Sequence, residues 1–425
     1  MVGTLLEMKP QIARAEHFFS DLRVRTTDEP GVTRASFGAG EQIAHDMIRA
    51  WAASLDLEMV TDFAGNLYMT LPGRDRTRPV IMMGSHMDSV PHGGNYDGAA
   101  GVVAGIVALE RIRQCGIVPA MDVTVMAIRA EELAWFPASY IGSRAAFGML
   151  PADTLDKVVR FDTGRSLGAH MADLGLDVDA VRAGRRQLDA QRIGAYIEVH
   201  IEQGPHLVAL ERACAIVTGI RGSYRLRHAR VVGEYAHSGA VPRAQRHDAL
   251  LGAVKFAHEV ETMWLRRESE GQDLVCTLGE FYTDPRQHTM TKIPGEVRFT
   301  LDIRSYDDAV LTDCRAELER KAAAISRARG VRINLGEHTQ TRSALMDPKL
   351  IDAAERAAQR LGIEAPRMAS GAGHDCTVFA NQGVACAMIF IRNADGSHNP
   401  HEKMEIDDFA EASRLLWGML DEMVA

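Results

Sequence analysis

Cysteine is scarce and scattered: six residues, at 115, 214, 276, 314, 376 and 386, with no Cys-x-x-Cys pair among them. That spacing argues against a zinc–thiolate cluster or a disulfide framework and for buried free thiols in a reducing compartment. No run of about 18 apolar residues occurs, so no helical membrane span is expected. Basic charge is not in excess either. The 48 Lys and Arg against 57 Asp and Glu leave a formal net charge of −9, which argues against a nucleic-acid footprint without identifying a substrate. Repeats of fixed period and low-complexity segments are absent. The first residues, MVGTLLEMKPQIARAE, carry Glu7 early and lack a signal-peptide pattern, so a cytoplasmic protein is expected.

What is present is ordinary globular material: 425 residues, 46% hydrophobic and 25% charged, enough for two domains with substantial cores. Residues 10–24 and 39–55 read as amphipathic helices around a polar loop, TTDEPGVTRASFG, and 58–71 as a hairpin around Ala64-Gly65-Asn66. Apolar runs at 80–83, 122–130 and 384–391 predict buried strands; helical spacing predicts helices at 98–113, 139–149, 349–361 and 406–424. Strands alternating with helices predict an α/β domain whose site gathers at the carboxyl ends of the strands. Residues 196–201 alternate, placing Ile197, Val199 and Ile201 on one face and Glu198 and His200 on a polar one. From 210 to 329 the order becomes strand, helix, two strands, helix. This predicts a small α+β, ferredoxin-like insertion, one sheet covered on one face by two helices. The expected domains are therefore 1–209 with 330–425, and 210–329.

The stretch GSHMDSVPHGGNYDGAAG (84–101) follows the first buried strand and gathers His86, Asp88, His92 and Asp97. Histidines and carboxylates without cysteine suit zinc, and equally manganese or cobalt. Gly93-Gly94 would let the loop fold back to present Asp97. His200 lies on the polar side of its strand, and His398 in the turn SHNPHE after the last buried strand. Together His86, Asp97, Glu132, His200 and His398 supply donors for two divalent ions, leaving positive charge to lower the pKa of a water. Glu131 and Glu132, neighbours at a strand end, are expected to point to opposite sides, one a ligand and one a general base; spacing leaves open which is which. A lone histidine in a strand is more often a hydrogen-bonded core residue than a ligand, and a Glu-Glu pair is usually a solvated turn. Their joint appearance at strand ends of one α/β pattern is what favours a metal site.

The segments GSHMDSVPHGGNYDGAAGV, AEELAWF, GSRA, YIEVHIEQGP, AHSGAVPR, RHDAL, IPGEVRFTLDIRS, SGAGHD and SHNPHE occur in this order. Over about residues 20–420 the chain resembles the hydantoinase/carbamoylase amidases: N-carbamoyl-L-amino-acid hydrolases, allantoate amidohydrolases and β-ureidopropionases of the dinuclear-zinc aminoacylase–carboxypeptidase superfamily. The resemblance implies an exopeptidase-like catalytic domain interrupted by a dimerisation (lid) domain, and two divalent ions, most simply zinc. It places the ligands at His86, Asp97 (bridging), Glu132, His200 and His398, the general base at Glu131, and the group that orients His86 at Asp88. It leaves His92 as a loop residue without a metal. Gln203, Arg304 and Gly373 fall at substrate-contacting positions, as does Thr291, where an asparagine is usual. His237 falls at the oxyanion-stabilising lid position and is contributed across a homodimer. Arg304 would hold the carboxylate of a small-molecule substrate, its other reading being a salt bridge with Asp302. Ala130 stands where an aspartate usually precedes the glutamate pair. The activity implied is hydrolysis of an N-carbamoyl-L-amino acid or related ureido acid to ammonia and carbon dioxide. An allantoate, N-acyl-amino-acid or dipeptide enzyme, or a non-catalytic protein of the same fold, are the rival readings.

Overall fold

In the computed structural model the described residues are 8–287 and 289–424, so Glu7 and the segment before it lie outside them. The chain divides into two compact units, Met1–Thr218 with Leu345–Ala425, and Gly219–Ala344.

The first unit is built on a nine-stranded sheet. Its order is Ala344–Leu345, Cys214–Ile220, Cys386–Ile391, Ile193–Ile201, Val80–His86, Val123–Ile128, Leu67–Leu71 and Glu58–Thr61, with Arg367–Ser370 beside Cys214–Ile220. The four central strands run parallel, and their antiparallel neighbours flank them on both sides. Central parallel strands are covered on both faces, which is why Val80–His86 and Val123–Ile128 read as unbroken apolar runs. The same principle overrides the alternation at 196–201: the face carrying Glu198 and His200 is buried like the other, with both residues at most 1% exposed. Glu198 survives there because Ser85 Oγ and the Cys376 backbone N–H donate to it, at 3.0 and 2.7 Å. The helices Lys9–Thr26, Ala39–Ser54, Ala99–Gln114, Pro348–Leu361 and Ile406–Met423 stand where periodicity predicts them. A helix over Cys376–Asn381, directly after SGAGHD, was not expected.

Among the described residues the second unit has a six-stranded antiparallel sheet layered against the helices Ala249–Ser269 and Asp308–Arg329, and a separate two-stranded pairing. Its main strands follow the order Val275–Thr277, Glu296–Ser305, Gly222–Val232, Arg332–Asn334, the βαββαβ arrangement of a ferredoxin-like sheet. Tyr224, Leu226, Ala229 and Val231 join Val297, Phe299, Leu301 and Ile303 under the helices, where Phe256, Met263, Leu311 and Leu318 fill the core. The breaks fall at 218/219 and 344/345, further along the chain than 210 and 329. Cys214–Ile220 pairs with Cys386–Ile391 in the first unit's sheet, and Arg332–Asn334 and His338–Thr341 pair with Gly222–Val232 in the second.

Candidate metal centre

The first unit's functional side chains converge at the carboxyl ends of its central strands. Val80–His86 and Ile193–Ile201 run side by side with Met83 opposite Ile197, so His86 and His200 finish next to each other. Their Nε2 atoms lie 3.4 Å apart. Each ring turns its Nδ1 to an oxygen: His200 to the carbonyl of Ile201 at 2.8 Å, His86 to the Asp88 carbonyl at 3.2 Å and the Asp88 carboxylate at 3.3 Å. Those contacts place the ring protons on Nδ1 and leave both Nε2 lone pairs facing inward.

Asp97 sits between them. Its Oδ1 lies 3.5 Å from His86 Nε2 and 3.1 Å from His200 Nε2, while Oδ2 lies 3.3 Å from His398 Nε2. His398 Nε2 is in turn 3.3 Å from Glu132 Oε1. Two groups of three donors therefore share one carboxylate: His86, Asp97 and His200, and Asp97, Glu132 and His398. In the first, both rings turn Nε2 toward Asp97, whose Oδ1 is buried without a hydrogen-bond partner. Buried side chains converging in this way form a set that a cation would satisfy, and its nitrogen and oxygen atoms suit a divalent ion of the zinc, manganese or cobalt type. The site thus fits the metal that the motif implies.

Glu131 and Glu132 do not point to opposite sides. With His86 they form a further close group, and Glu131 Oε2 is 3.9 Å from His86 Nε2. Alternation fails because they lie beyond the strand Val123–Ile128, in a turn where Ala130 adopts the left-handed region (φ 52°). Glu41 braces that turn from beneath, accepting from the Ala130 N–H at 2.8 Å and from Arg129 Nη1 at 2.9 Å. Gln203 (φ 62°) and His398 (φ 60°) are held in the same sparsely populated region, so three strained residues adjoin or form the site. Burial raises the carboxyl of Glu131 well above its ordinary range; His86 opposes this, and the charges of Glu132, Asp375 and Asp88 add to it.

Asp88, fully buried, anchors more than His86. Its Oδ1 accepts from the Glu131 N–H at 3.1 Å, and its Oδ2 from the Glu132 N–H at 3.2 Å and Ser36 Oγ at 2.6 Å. Gln203 Nε2 donates to Asp97 Oδ2 at 2.8 Å. Gly373, in the SGAGHD turn, is confined by the Tyr140 hydroxyl, which would lie 1.8 Å from any Cβ placed there. His92 is exposed and turns its Nδ1 to the Asp28 carbonyl, away from both donor groups.

The glycines of the opening motif act differently from the hinge expected. Gly93 and Gly94 are not among the positive-φ glycines; Gly94 is needed for space, because a Cβ would lie 2.1 Å from Glu402 Cδ. Gly98 does adopt a positive φ of 66°, with the His86 ring against it. Residues that spacing did not reveal are Arg34, Ser36, Ser397 and Glu402. The first two lie in a stretch that reads as a polar loop, yet Arg34 is wholly buried and donates from Nε to the Met87 carbonyl at 2.9 Å. Ser397 and Glu402 lie within SHNPHE, the one available signal for them.

In the second unit, His237 and Thr291 come together on a two-stranded pairing, Ala236–His237 with Lys292–Ile293, where the Ser238 N–H donates to the Thr291 carbonyl. The exposed His237 accepts on Nδ1 from the N–H groups of Gly239 and Ala240, at 3.1 and 3.2 Å. That leaves the ring proton on Nε2, the tautomer that donates outward. Arg304 stands on the sheet face opposite the helices and is ion-paired with Asp302.

Comparison with known proteins follows the same lines. The model of peptidase family M20/M25/M40 matches residues 82–422. The N-carbamoyl-L-amino-acid amidohydrolase of Pseudomonas sp. (strain NS671) is 32% identical over 392 residues, 92% of this chain and 93% of that protein. The allantoate amidohydrolase of Escherichia coli (strain K12) is 31% identical over 395 residues, 92% and 93% of the two chains. A crystal structure of a hydantoinase/carbamoylase family amidase from Burkholderia multivorans superposes with a TM-score of 0.85 at 28% identity, covering 97% of this chain and 98% of that one.

Proposed function

Because the chain belongs to peptidase family M20/M25/M40, and within it to the hydantoinase/carbamoylase amidases, we propose that it is a metal-dependent amidohydrolase cleaving the carbamoyl C–N bond of an N-carbamoyl-L-amino acid or a related ureido acid. The products are ammonia, carbon dioxide and the amino acid. The observation that carries this reading is the pair of three-donor groups sharing Asp97, complete without Glu131. Glu131 is then available beside them as a buried base.

His86 and His200 with Asp97 would hold one ion, and Glu132 and His398 with Asp97 the other. A divalent pair there supplies Lewis acidity and favours water in its deprotonated form. Glu131 takes the proton of the attacking water and delivers it to the leaving nitrogen. Asp88 keeps His86 and the Glu131–Glu132 turn in place while this happens. His237, through Nε2–H, donates to the oxygen on which charge develops, and Arg304 pairs with the substrate carboxylate, with Gln203, Thr291 and Gly373 as further contacts. His237 reaches the site of a second copy in a homodimer, which makes the dimer the active species. A cytoplasmic location is part of this reading, on the scattered cysteines of the sequence; among the described residues no helix is long and apolar enough to cross a membrane.

Allantoate is the second substrate to consider, because an allantoate amidohydrolase is as similar to this chain as the carbamoyl-amino-acid enzyme, 31% against 32%. Ammonia release from a panel of N-carbamoyl amino acids, allantoate, N-acyl amino acids and dipeptides, with zinc, manganese or cobalt added, separates these readings. The deciding variant is Glu131→Gln with metal content measured. Turnover should fall by about 10²–10⁴-fold with metal retained; undiminished turnover rejects the mechanism.

A further inference from the structure

Glu402 belongs to neither donor group, yet the two loops that carry Asp97 and His398 are joined through it. It is buried, and its Oε1 accepts from the backbone N–H of Tyr96 at 2.8 Å and of Asp97 at 3.3 Å. Its Oε2 lies 2.7 Å from Ser397 Oγ, which lies 2.6 Å from Asp97 Oδ2. The loop before Asp97 closes over this side chain so tightly that Gly94 has no room for a Cβ. On the other side, the backbones of Ala394 and Lys403 pair in both directions and close the loop that presents His398. Buried Arg34, which donates to Asn95 Oδ1 at 3.4 Å, provides the compensating positive charge nearby.

Asp97 must offer Oδ1 to one donor group and Oδ2 to the other, so the rotation of its carboxylate matters more than that of a ligand serving one ion. Glu402 fixes the backbone at residues 96 and 97, and Ser397 fixes the carboxylate from the Oδ2 side. We propose that Glu402, acting through Ser397, is a positioning residue that holds the shared carboxylate in register with His398 and thereby sets the affinity for the ion of the Asp97–Glu132–His398 group. The role is geometric and does not require a charge. Ser397 has one hydroxyl proton for two carboxylates, whereas an amide at position 402 would donate to Ser397 Oγ and leave that proton to Asp97, with its carbonyl still accepting from Tyr96 and Asp97. Glutamine should therefore replace Glu402 and alanine should not.

The proposal rests on the reading of the two groups as metal sites, and its test reads metal binding in the full-length protein, not turnover. Zinc affinity is measured by competition with a chromogenic chelator, and cobalt-substituted protein by its visible spectrum. Glu402→Gln should keep both zinc ions with wild-type affinity. Glu402→Ala should weaken one of the two about 10–100-fold, as loss of an outer-shell partner does, and change the cobalt spectrum while the other ion stays bound. Ser397→Ala, a smaller excision that decides the matter if Glu402→Ala does not fold, should weaken the same ion less. Wild-type zinc affinity at both sites in Glu402→Ala, or in Ser397→Ala where that variant decides, overturns the proposal. So does a Gln variant as impaired as the Ala variant. Wild-type protein that binds no zinc, manganese or cobalt overturns the functional reading itself, an outcome distinct from these.

Discussion

Arg304 donates from both Nε and Nη2 to a single oxygen of Asp302, at 3.1 and 2.9 Å, two residues back on the same strand. The other oxygen of Asp302 takes Arg225 Nε at 3.3 Å, so one carboxylate orients two arginines on the open face of the sheet. An arginine oriented in this way presents its fork in a fixed direction at little further entropic cost. Arg304→Ala should raise KM for carboxylate substrates about 10–100-fold, from about 1.5–3 kcal/mol for hydrogen bonds to a charged group, with a smaller change in kcat. Arg304→Lys should not restore KM, because it cannot form the planar pair. Steady-state kinetics on an N-carbamoyl amino acid and on its uncharged amide check this; equal losses on both count against the carboxylate clamp.

Asp88 takes four donors, the His86 ring, the Ser36 hydroxyl and the backbone N–H groups of Glu131 and Glu132. An amide in its place offers a donor on the side of two existing donors. Asp88→Asn should therefore lower metal affinity about 10–100-fold and activity with it. Ser36→Ala removes one donor and leaves the rest, so it should cost only about 1 kcal/mol of stability with metal retained. Metal analysis after dialysis, together with urea unfolding, separates the two variants. If Asp88→Asn keeps full metal content after dialysis, its orienting role is refuted.

Much of this molecule is legible in its sequence, and the exceptions have identifiable causes. Strands buried on both faces read as apolar runs, and the helices Ala39–Ser54 and Pro348–Leu361 show their periodicity because each buries a single stripe, whereas Ala99–Gln114 is buried nearly all round and reads as small and apolar. Pairing between distant segments leaves no such trace. Cys214–Ile220 follows the Gly204-Pro205 stop and reads as the start of the inserted domain, but its antiparallel partner is Cys386–Ile391. Arg332–Asn334 and His338–Thr341 are too short and too polar to register before the structure pairs them. The histidines and acids of the site stand out because they appear together at the strand ends of one α/β pattern. Strand alternation predicts opposed Glu131 and Glu132, but it ends with Ile128, and the positive φ of Ala130 turns both side chains toward His86. Arg34, Ser36, Ser397 and Glu402 act through hydrogen bonds between loops, and no spacing rule reports on those.

Gly98 and Gly116 share a φ of 66° but differ in surroundings: a Cβ at Gly98 would lie 2.5 Å from three atoms of the His86 ring, and one at Gly116 would meet nothing within 4 Å. Alanine at a positive φ costs about 1–2 kcal/mol in the left-handed region, and at least as much at Gly98, whose ψ of −52° puts it in a strained tight turn closed by the Ala99 N–H and the Asp97 carbonyl. Only Gly98→Ala adds a collision, typically about 1–3 kcal/mol, and it falls on a metal-facing histidine. Thermal unfolding of the two variants should therefore show the larger loss for Gly98→Ala, with reduced metal affinity in that variant alone. Equal losses, or intact metal affinity in Gly98→Ala, would show that the His86 ring is not held by this contact.

Glu259 links the two helices of the second unit, its Oε1 2.7 Å from Lys255 Nζ and its Oε2 2.5 Å from Lys321 Nζ. These two lysines pull its carboxyl down to about 2, against a small opposing effect of burial. A carboxyl held lower in the folded protein than in the unfolded chain stabilises the fold above its ordinary value of 4.5, and that contribution fades as pH falls from there toward about 2. Because the group is largely solvent-screened, the contribution at neutral pH is at most about 1 kcal/mol. Glu259→Gln should therefore be slightly less stable than wild type at pH 7, with the gap narrowing below pH 4.5. High salt should narrow it too, since exposed pairs are screened. Urea unfolding of full-length wild type and variant between pH 7 and pH 3.5, at low and high salt, measures the gap directly. A gap that stays constant across that range would mean that Glu259 contributes through packing of its side chain between the helices and not through its charge.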